Sequence, residues 1–537
     1  MLQLIPKPSK YIEGYGDFII SDRTQIYADE ELMHCKQMLV NIVEDICKYT
    51  LQDVVKSKAD ISFLFDAHLS MEGYRIKASE EGLRIYASTY NGGLYAVQTL
   101  KQLCNLAVIN EAEQLALHYV EIEDAPRYKW RGLMLDEARW FFGADAVKRL
   151  LTTMSEYKLN VLHWHLTDNE GWRIAINKYP KLTETGSHRR GTQNVSWLKG
   201  KDIDWTAHDG FYTQDEIKDI VAFASELGIM IVPEIDMPAH FGSAIAAYPE
   251  LSCSGKLIET PISHMAKDEH SHFDLIACVG KESTYTMIYD IIDELCELFP
   301  APYFHIGGDE APKKEWKACP LCQKVMENYN LKNEEELQGF FNNKIALHLN
   351  TKGRELIGWN EILKAESLDN SVVAQYWVLK EDKNVTKFIS KGGKVIMSKH
   401  QSFYFDMPYA MHGLKKTYDF DAGDYGVSDS SMLGVEGAIW SEWIYSQDRL
   451  DYQLYPRMQA LAEVAWSVNG DKSYREFTKR LKKHLPTLKA KGIKYCKESM
   501  WNANKIKSLH TMRQFHTTDA HIEYKKALSK RKPDTKG

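Results

Sequence analysis

The sequence predicts an α/β protein in which a (β/α)8 barrel follows a small α+β domain. Three observations carry that expectation. At 537 residues the chain exceeds one minimal core and leaves room for a barrel of roughly 250 residues or more beside a second domain. From Trp130 onward, eight short apolar, β-rich runs alternate with amphipathic helical stretches; buried parallel strands read as such runs, and each needs a crossover to the next. Polar and aromatic residues gather at the carboxyl ends of these runs, where the βα loops of a barrel meet.

In chain order, residues 5–123 come first. TQIYA and ISFLF have the composition of short strands, and GYRIKA and GLRIYAS flank an SEE turn as a hairpin does. In LMHCKQMLVNIVEDICKYT the residues Met38, Leu39, Ile42, Val43 and Ile46 recur at helical spacing, and YNGGLYAVQTLKQLCNL forms a second helix. Two helices on one face of a sheet give a first domain over residues 1–123. Pro126 in DAPRYKW interrupts this pattern.

A barrel over residues 124–470 follows, with strands in WRGLMLD, NVLHWHLTD, IMIVPEID, YFHIGGDE, RELIGWNE, VVAQYW, KVIMSK and LGVEGAIW. Between them DAVKRLLTTMSEYK, DEIKDIVAFASELG, TMIYDIIDELCELF and LQGFFNNKIALHLNTKG carry apolar stripes at i, i+3, i+4 and i+7, two of them stopped by glycine. The later crossovers are shorter. YPRMQALAEVAWS reads as a closing helix, and residues 471–537 as a helical extension with a basic tail, from Lys505 and Lys507 through Arg513, Lys525, Lys526, Lys530, Arg531 and Lys532 to Lys536.

With 67 Lys and Arg against 74 Asp and Glu, the net charge is −7. Such a balance argues against a nucleic-acid partner, which needs clustered cations over a binding face; the tail reads as a solvated terminus. A hydrophobic fraction of 44% excludes a disordered chain. No run reaches the ~18 apolar residues of a membrane span, and MLQLIPKPSK lacks the apolar stretch of a signal peptide. A cytoplasmic protein is expected if Met1 is native, a periplasmic or secreted one if a leader has been removed. NVS at Asn194 and NVT at Asn384 then read as chance matches to the glycosylation pattern. Oligomeric state stays open.

Nine cysteines in a chain of this length form no disulfide scaffold. Cys319 and Cys322 stand alone as C-x-x-C in CPLC, and without a second pair at zinc spacing they predict a turn of ordinary or redox-prone thiols and no metal. The H-x-H of His163 and His165 fits packing and hydrogen bonding as well as ligation, and is also read as no metal site.

The strand ends carry Asp136 and Arg139; His163, His165 and Asp168; Glu234, Asp236 and His240; His305, Asp309 and Glu310; Trp359 and Glu361; Gln375 and Trp377; Tyr404 and Asp406; Trp440 and Glu442. One charged strand end could be a structural ion pair, but so many together suit a sugar: ring faces stack on indoles, hydroxyls pair with carboxylates, and acid catalysis needs a carboxyl group. In FHIGGDE two glycines admit close backbone approach and two carboxyl groups follow. Adjacent strand residues point to opposite faces, so Asp309 and Glu310 cannot act as the facing pair of an ordinary retaining hydrolase, about 5 Å apart, and their roles must differ.

In order, RGLMLDEAR, NVLHWHLTDNEGWRI, PEIDMPAH, HIGGDE, GWNEI, AQYW, YFD and WSEW resemble the β-N-acetylhexosaminidases of glycoside hydrolase family 20, over nearly the whole chain. The segment ending GGLYAVQTLKQL is similar to the non-catalytic domain that precedes the family's barrel. The resemblance implies an exo-acting, retaining hydrolase that removes terminal β-linked N-acetylglucosamine or N-acetylgalactosamine from glycans or chitooligosaccharides, without a cofactor. It also implies substrate-assisted catalysis through an oxazolinium ion. Glu310 is then the general acid and base, Asp309 orients the acetamido N–H, and Tyr404 donates to the acetamido oxygen. Trp359, Trp377 and Trp440 wall the acetamido methyl; Arg139, Asp406 and Glu442 hold hydroxyls; Asp168 and His240 orient Glu310.

The chain departs from the family pattern at Trp140, where histidine is frequent, at Ala239 in place of glycine, and at Phe405 in place of an aliphatic residue. These bear on substrate preference. A lacto-N-biosidase or an enzyme for modified sugars is the alternative within the family, and a non-catalytic carbohydrate-binding protein the alternative outside enzymes; retention of Asp309, Glu310 and Tyr404 argues against the latter.

Overall fold

The computed structural model describes residues 2–109, 115–193, 203–262, 275–468, 472–503, 506 and 508–509. Asn194 and the basic residues of the tail, from Lys505 to Lys536, lie outside the described residues. The described residues form two compact units. One gathers Met1–Arg131, Leu151–Asn160 and Tyr455–Tyr495; the other gathers Gly132–Leu150, Val161–Leu454 and Cys496–Gly537.

The first unit is built on a seven-stranded sheet of β1 (Lys10–Ile20), β2 (Gln25–Ala28), β3 (Gln52–Asp53), β4 (Ile61–Phe65), β5 (Tyr74–Ser79), β6 (Gly82–Ala87) and β7 (Leu115–Asp124), in the order β1-β7-β5-β6-β4-β2-β3. As the SEE turn indicates, β5 and β6 pair antiparallel with Ser79 opposite Gly82. Leu83, Ile85 and Ala87 alternate into the core, opposite Ala78, Ile76 and Tyr74. The two expected helices are α1 (Met33–Cys47) and α2 (Tyr90–Ile109); Leu39 and Val43 of α1 and Tyr95 and Leu100 of α2 are buried in that same core. Strand β1 is not evident in the sequence because nearly all of it is exposed, so no apolar alternation marks it. A register shift between Glu13 and Asp17 breaks its pairing with β7.

The second unit is built on a closed barrel of β8 (Trp130–Asp136), β9 (Val161–Asp168), β10 (Met230–Ile235), β11 (Tyr303–His305), β12 (Glu355–Trp359), β13 (Val373–Tyr376), β14 (Lys394–Met397) and β15 (Met432–Ile439), each beside the next and β15 beside β8. These are the eight runs read from sequence. Every residue of β8 and β9 is buried, as strands covered on both faces require. The main crossovers are α3 (Ala144–Glu156), α4 (Gln214–Glu226), α5 (Glu282–Leu298) and α6 (Glu334–Thr351).

Helix α4 opens with a capping box: Thr213 Oγ1 accepts from the Glu216 N–H at 3.2 Å while Glu216 Oε2 accepts from the Thr213 N–H at 2.8 Å, an arrangement worth about 1 kcal/mol. Beyond it Gly228 turns the chain with φ 67°. After β12 the crossovers shorten to the 3-10 turn Asn360–Lys364 and α7 (Lys383–Ser390). Among the described residues no helix is long and apolar enough to cross a membrane.

Candidate active site

The site is built around the loop that leaves β11. That strand stops at His305, so Asp309 and Glu310 stand on a loop and not on a strand. Gly307 and Gly308 take φ of 64° and 90°, and Glu310 itself takes φ 48°, backbone that glycine enters freely and other residues rarely. This corrects the alternation argument: period two applies only while the chain is extended, and the turn sets both carboxyl groups beside one imidazole. His240 Nε2 lies 3.8 Å from Asp309 Oδ2 and 3.7 Å from Glu310 Oε2.

Hydrogen bonds fix the loop. The Gly307 N–H donates to His305 Nδ1 at 3.0 Å, the Gly308 N–H to Asp236 Oδ1 at 3.3 Å, and Gln338 Nε2 to the Gly308 carbonyl at 2.7 Å. A Cβ on Gly307 would lie 1.8 Å from Asp236 Oδ1, which no side chain can accept. The two carboxyl groups differ in setting. The Asp309 side chain is 13% exposed and that of Glu310 58%, so one faces protein and the other is open. Among the described residues Asp309 Oδ1 is buried with no hydrogen-bond partner, an acceptor position that costs free energy unless a ligand donor fills it.

Burial raises the Asp309 carboxyl, His240 opposes the rise, and the charges of Glu361, Glu310 and Glu234 add to it; the result is about 7. His240 is held in turn by Asp168, whose Oδ1 lies 3.0 Å from Nδ1. Burial alone would lower the His240 pKa, but Asp168 and Asp236 outweigh it and keep the imidazolium charged. Burial would raise Asp168, and Arg139 and His240 drive it well below the usual carboxylate range.

Arg139 Nη2 reaches Asp168 Oδ2 at 2.7 Å, Nη1 reaches Asp136 Oδ2 at 3.3 Å, and Nε reaches Glu170 Oε2 at 3.2 Å. Its guanidinium carbon sits 5.1 Å from the Trp440 ring centre, and Glu442 adds to its electrostatic surroundings.

From Trp440 an aromatic wall continues. Trp440 lies 5.7 Å from Trp359 and 6.3 Å from Tyr404, and Trp377 stacks on Tyr404 at 5.9 Å. The wall is fixed by polar handles: Trp359 Nε1 donates to Glu234 Oε1 at 3.0 Å and Trp377 Nε1 to Glu361 Oε2 at 2.8 Å. Tyr404 is buried, and burial followed by the charges of Asp309 and Asp406 raises its hydroxyl, which stays a donor. Asp406 follows two residues later, fully buried.

The structure thus links Asp168, His240, Asp309, Glu310 and Arg139 through charge, and Trp359, Trp377, Tyr404 and Trp440 through ring contacts, with Asp406 and Glu442 adjoining. Glu361, Glu170, Asp236 and Glu234 belong to the same web although the sequence reading gave them no role. Their signal was position alone, at or just beyond the ends of β12, β9 and β10.

His163 bonds Glu436 at 2.8 Å and His165 bonds Asp168 at 3.0 Å, with Glu234 between the two rings. Burial would lower His163, but Glu436 and Glu234 raise it to about 9. Trp140 is buried and stacks on His208 at 4.4 Å.

A rim with one open carboxyl, one buried carboxyl and indole walls can protonate a leaving oxygen while ordering an amide. "Glycosyl hydrolase family 20, domain 2" matches residues 1–125 and "Glycosyl hydrolase family 20, catalytic domain" residues 128–469. A β-hexosaminidase of Porphyromonas gingivalis is 34% identical over 516 residues, which are 92% of this chain; the chain spans 64% of that protein's length. A β-hexosaminidase of Vibrio furnissii is 32% identical, with 86% of this chain and 76% of the relative covered. The family 20 exo-β-N-acetylglucosaminidase of Vibrio harveyi, solved with N-acetylglucosamine, superposes with a TM-score of 0.81 at 31% identity, covering 92% of this chain and 78% of that one. The Streptomyces plicatus N-acetyl-β-hexosaminidase, solved with thio-NAglucal, gives 0.79 at 30%, covering 92% and 96%. This chain belongs to glycosyl hydrolase family 20 and is a glycoside hydrolase with that family's domain 2 and catalytic domain.

Proposed function

We propose that the enzyme is an exo-acting β-N-acetylhexosaminidase that releases terminal β-linked N-acetylglucosamine or N-acetylgalactosamine with retention, using the substrate's own acetamido oxygen as nucleophile. The observation that carries this reading is the unequal carboxyl pair on one left-handed loop: Asp309, buried with an acceptor oxygen to spare, and Glu310, open. Names among the relatives support it, since the Vibrio harveyi enzyme is an exo-β-N-acetylglucosaminidase and a Streptomyces plicatus variant was solved with N-acetylglucosamine as product.

In the first step the acetamido oxygen bonds to C1 as the C1–O bond to the leaving group breaks, and Glu310 gives that oxygen its proton. Asp309 accepts from the acetamido N–H and stabilises the charge that develops as the oxazolinium forms. Tyr404 donates to the acetamido oxygen, and Trp359, Trp377 and Trp440 enclose the methyl. Water then attacks C1 as the bond between C1 and the acetamido oxygen breaks, and Glu310 takes the water's proton as base, so two inversions give retention. Arg139, Asp406 and Glu442 hold the sugar hydroxyls, and Asp168 and His240 keep Glu310 in place. The barrel carries all of this chemistry, and residues 1–123 form a non-catalytic domain.

The test compares nitrophenyl β-N-acetylglucosaminide with nitrophenyl β-glucoside. An intramolecular nucleophile has effective molarities up to ~10⁵ M or more, so removing it lowers kcat/KM at least about 10³-fold. Comparable rates on the two substrates would overturn the reading.

A further inference from the structure

The cysteines read from sequence as a lone C-x-x-C are not alone in the fold. Cys319 is the N-cap of the helix Pro320–Asn328, and Cys322 lies in its first turn. To this turn the chain brings Cys253, after the 3-10 turn Pro249–Leu251, and Cys278, ahead of α5. The Sγ atoms of Cys253 and Cys322 are 3.8 Å apart, as are those of Cys278 and Cys322 and those of Cys278 and Cys319. All four sulfurs lie within 4.8 Å of one another. Cys278, Cys319 and Cys322 are buried, and Cys253 is half-buried.

These distances favour a shared centre over paired thiols. Four sulfurs placed tetrahedrally about 2.3 Å from a zinc ion are about 3.8 Å from one another. A disulfide joins one sulfur to one partner at about 2.05 Å, whereas Cys278 and Cys322 each have two sulfurs at equal distance.

The backbone fixes the same geometry. The Cys278 N–H donates to the Leu251 carbonyl at 2.7 Å, and Trp316, wholly buried, donates Nε1 to the Ala277 carbonyl at 2.9 Å. Gly280 packs so closely on the cysteine turn that a Cβ there would lie 2.5 Å from the Cys322 nitrogen.

We propose that Cys253, Cys278, Cys319 and Cys322 bind one structural zinc ion as four thiolates. With four protein ligands the site is closed and has no position for substrate. Binding releases the thiol protons and ties three stretches of chain together, one of them the segment that follows Glu310.

The test is elemental analysis of the full-length protein purified from zinc-supplemented cells. The expected result is one zinc per chain, released stoichiometrically when a mercurial titrates the thiols. Cobalt substitution should give the intense ligand-field absorption of a tetrahedral thiolate site. The double variant C319S/C322S should lose the metal; should it fail to fold, the wild-type stoichiometry and the cobalt spectrum still decide. Zinc far below one per chain, with the four thiols reacting freely in the native protein, would overturn the proposal. So would a disulfide among these cysteines in non-reduced peptides, or iron in place of zinc.

Discussion

Replacing Glu310 with glutamine is expected to lower kcat/KM on a chitooligosaccharide by about 10² to 10⁴-fold, the range that a positioned general acid supplies. The loss depends on the leaving group. A sugar alkoxide needs the proton as its bond breaks, whereas nitrophenolate leaves without one, so nitrophenyl β-N-acetylglucosaminide should lose less in its first step. Because the Glu310 side chain is largely open, the amide should leave folding intact, and an unchanged Tm would verify that the effect is chemical. Equal losses on both leaving groups would remove Glu310 from the proton-donor role.

The Asp309→Asn variant tests the other half of the pair. Its charge matters most where positive charge develops on the acetamido group, so kcat should fall by about 10² to 10³-fold while KM changes by only a few-fold. Its pH dependence follows from the raised carboxyl. With a pKa of about 7, caused by burial and by Glu361, Glu310 and Glu234 against the opposing His240, Asp309 gains a proton as the pH falls through that value and loses the charge it contributes. The wild-type kcat/KM should therefore drop on the acid side of about pH 7, and this limb should be absent from the variant. A persistent acid limb in the variant would assign the titration to another group.

Much of the site was legible because its signals are local. The HIGGDE run places two carboxyl groups past a strand, and Trp359, Trp377 and Trp440 each end a buried run, so the barrel rule locates them without knowledge of the packing. What was not legible depends on distant chain. Nothing near Gly307 says that Asp236 occupies the space a Cβ would need, or that the resulting turn puts both carboxyl groups beside His240. Arg139 was read as a hydroxyl ligand, yet its fork is also tied to Asp136, Asp168 and Glu170, which the parallel pairing of β8 with β9 brings together. Cys253 and Cys322 meet across 69 residues, beyond any spacing rule, and β1 was hidden because exposure erased its alternation.

The central claim, that the substrate supplies its own nucleophile, is tested most directly by kcat/KM for aryl β-glucosaminides whose N-acetyl group carries zero, one, two or three fluorines. Fluorine withdraws electrons from the acetamido oxygen and leaves the leaving group unchanged. kcat/KM should fall steeply and monotonically with each fluorine. A flat series would contradict the claim and require a nucleophile from the protein.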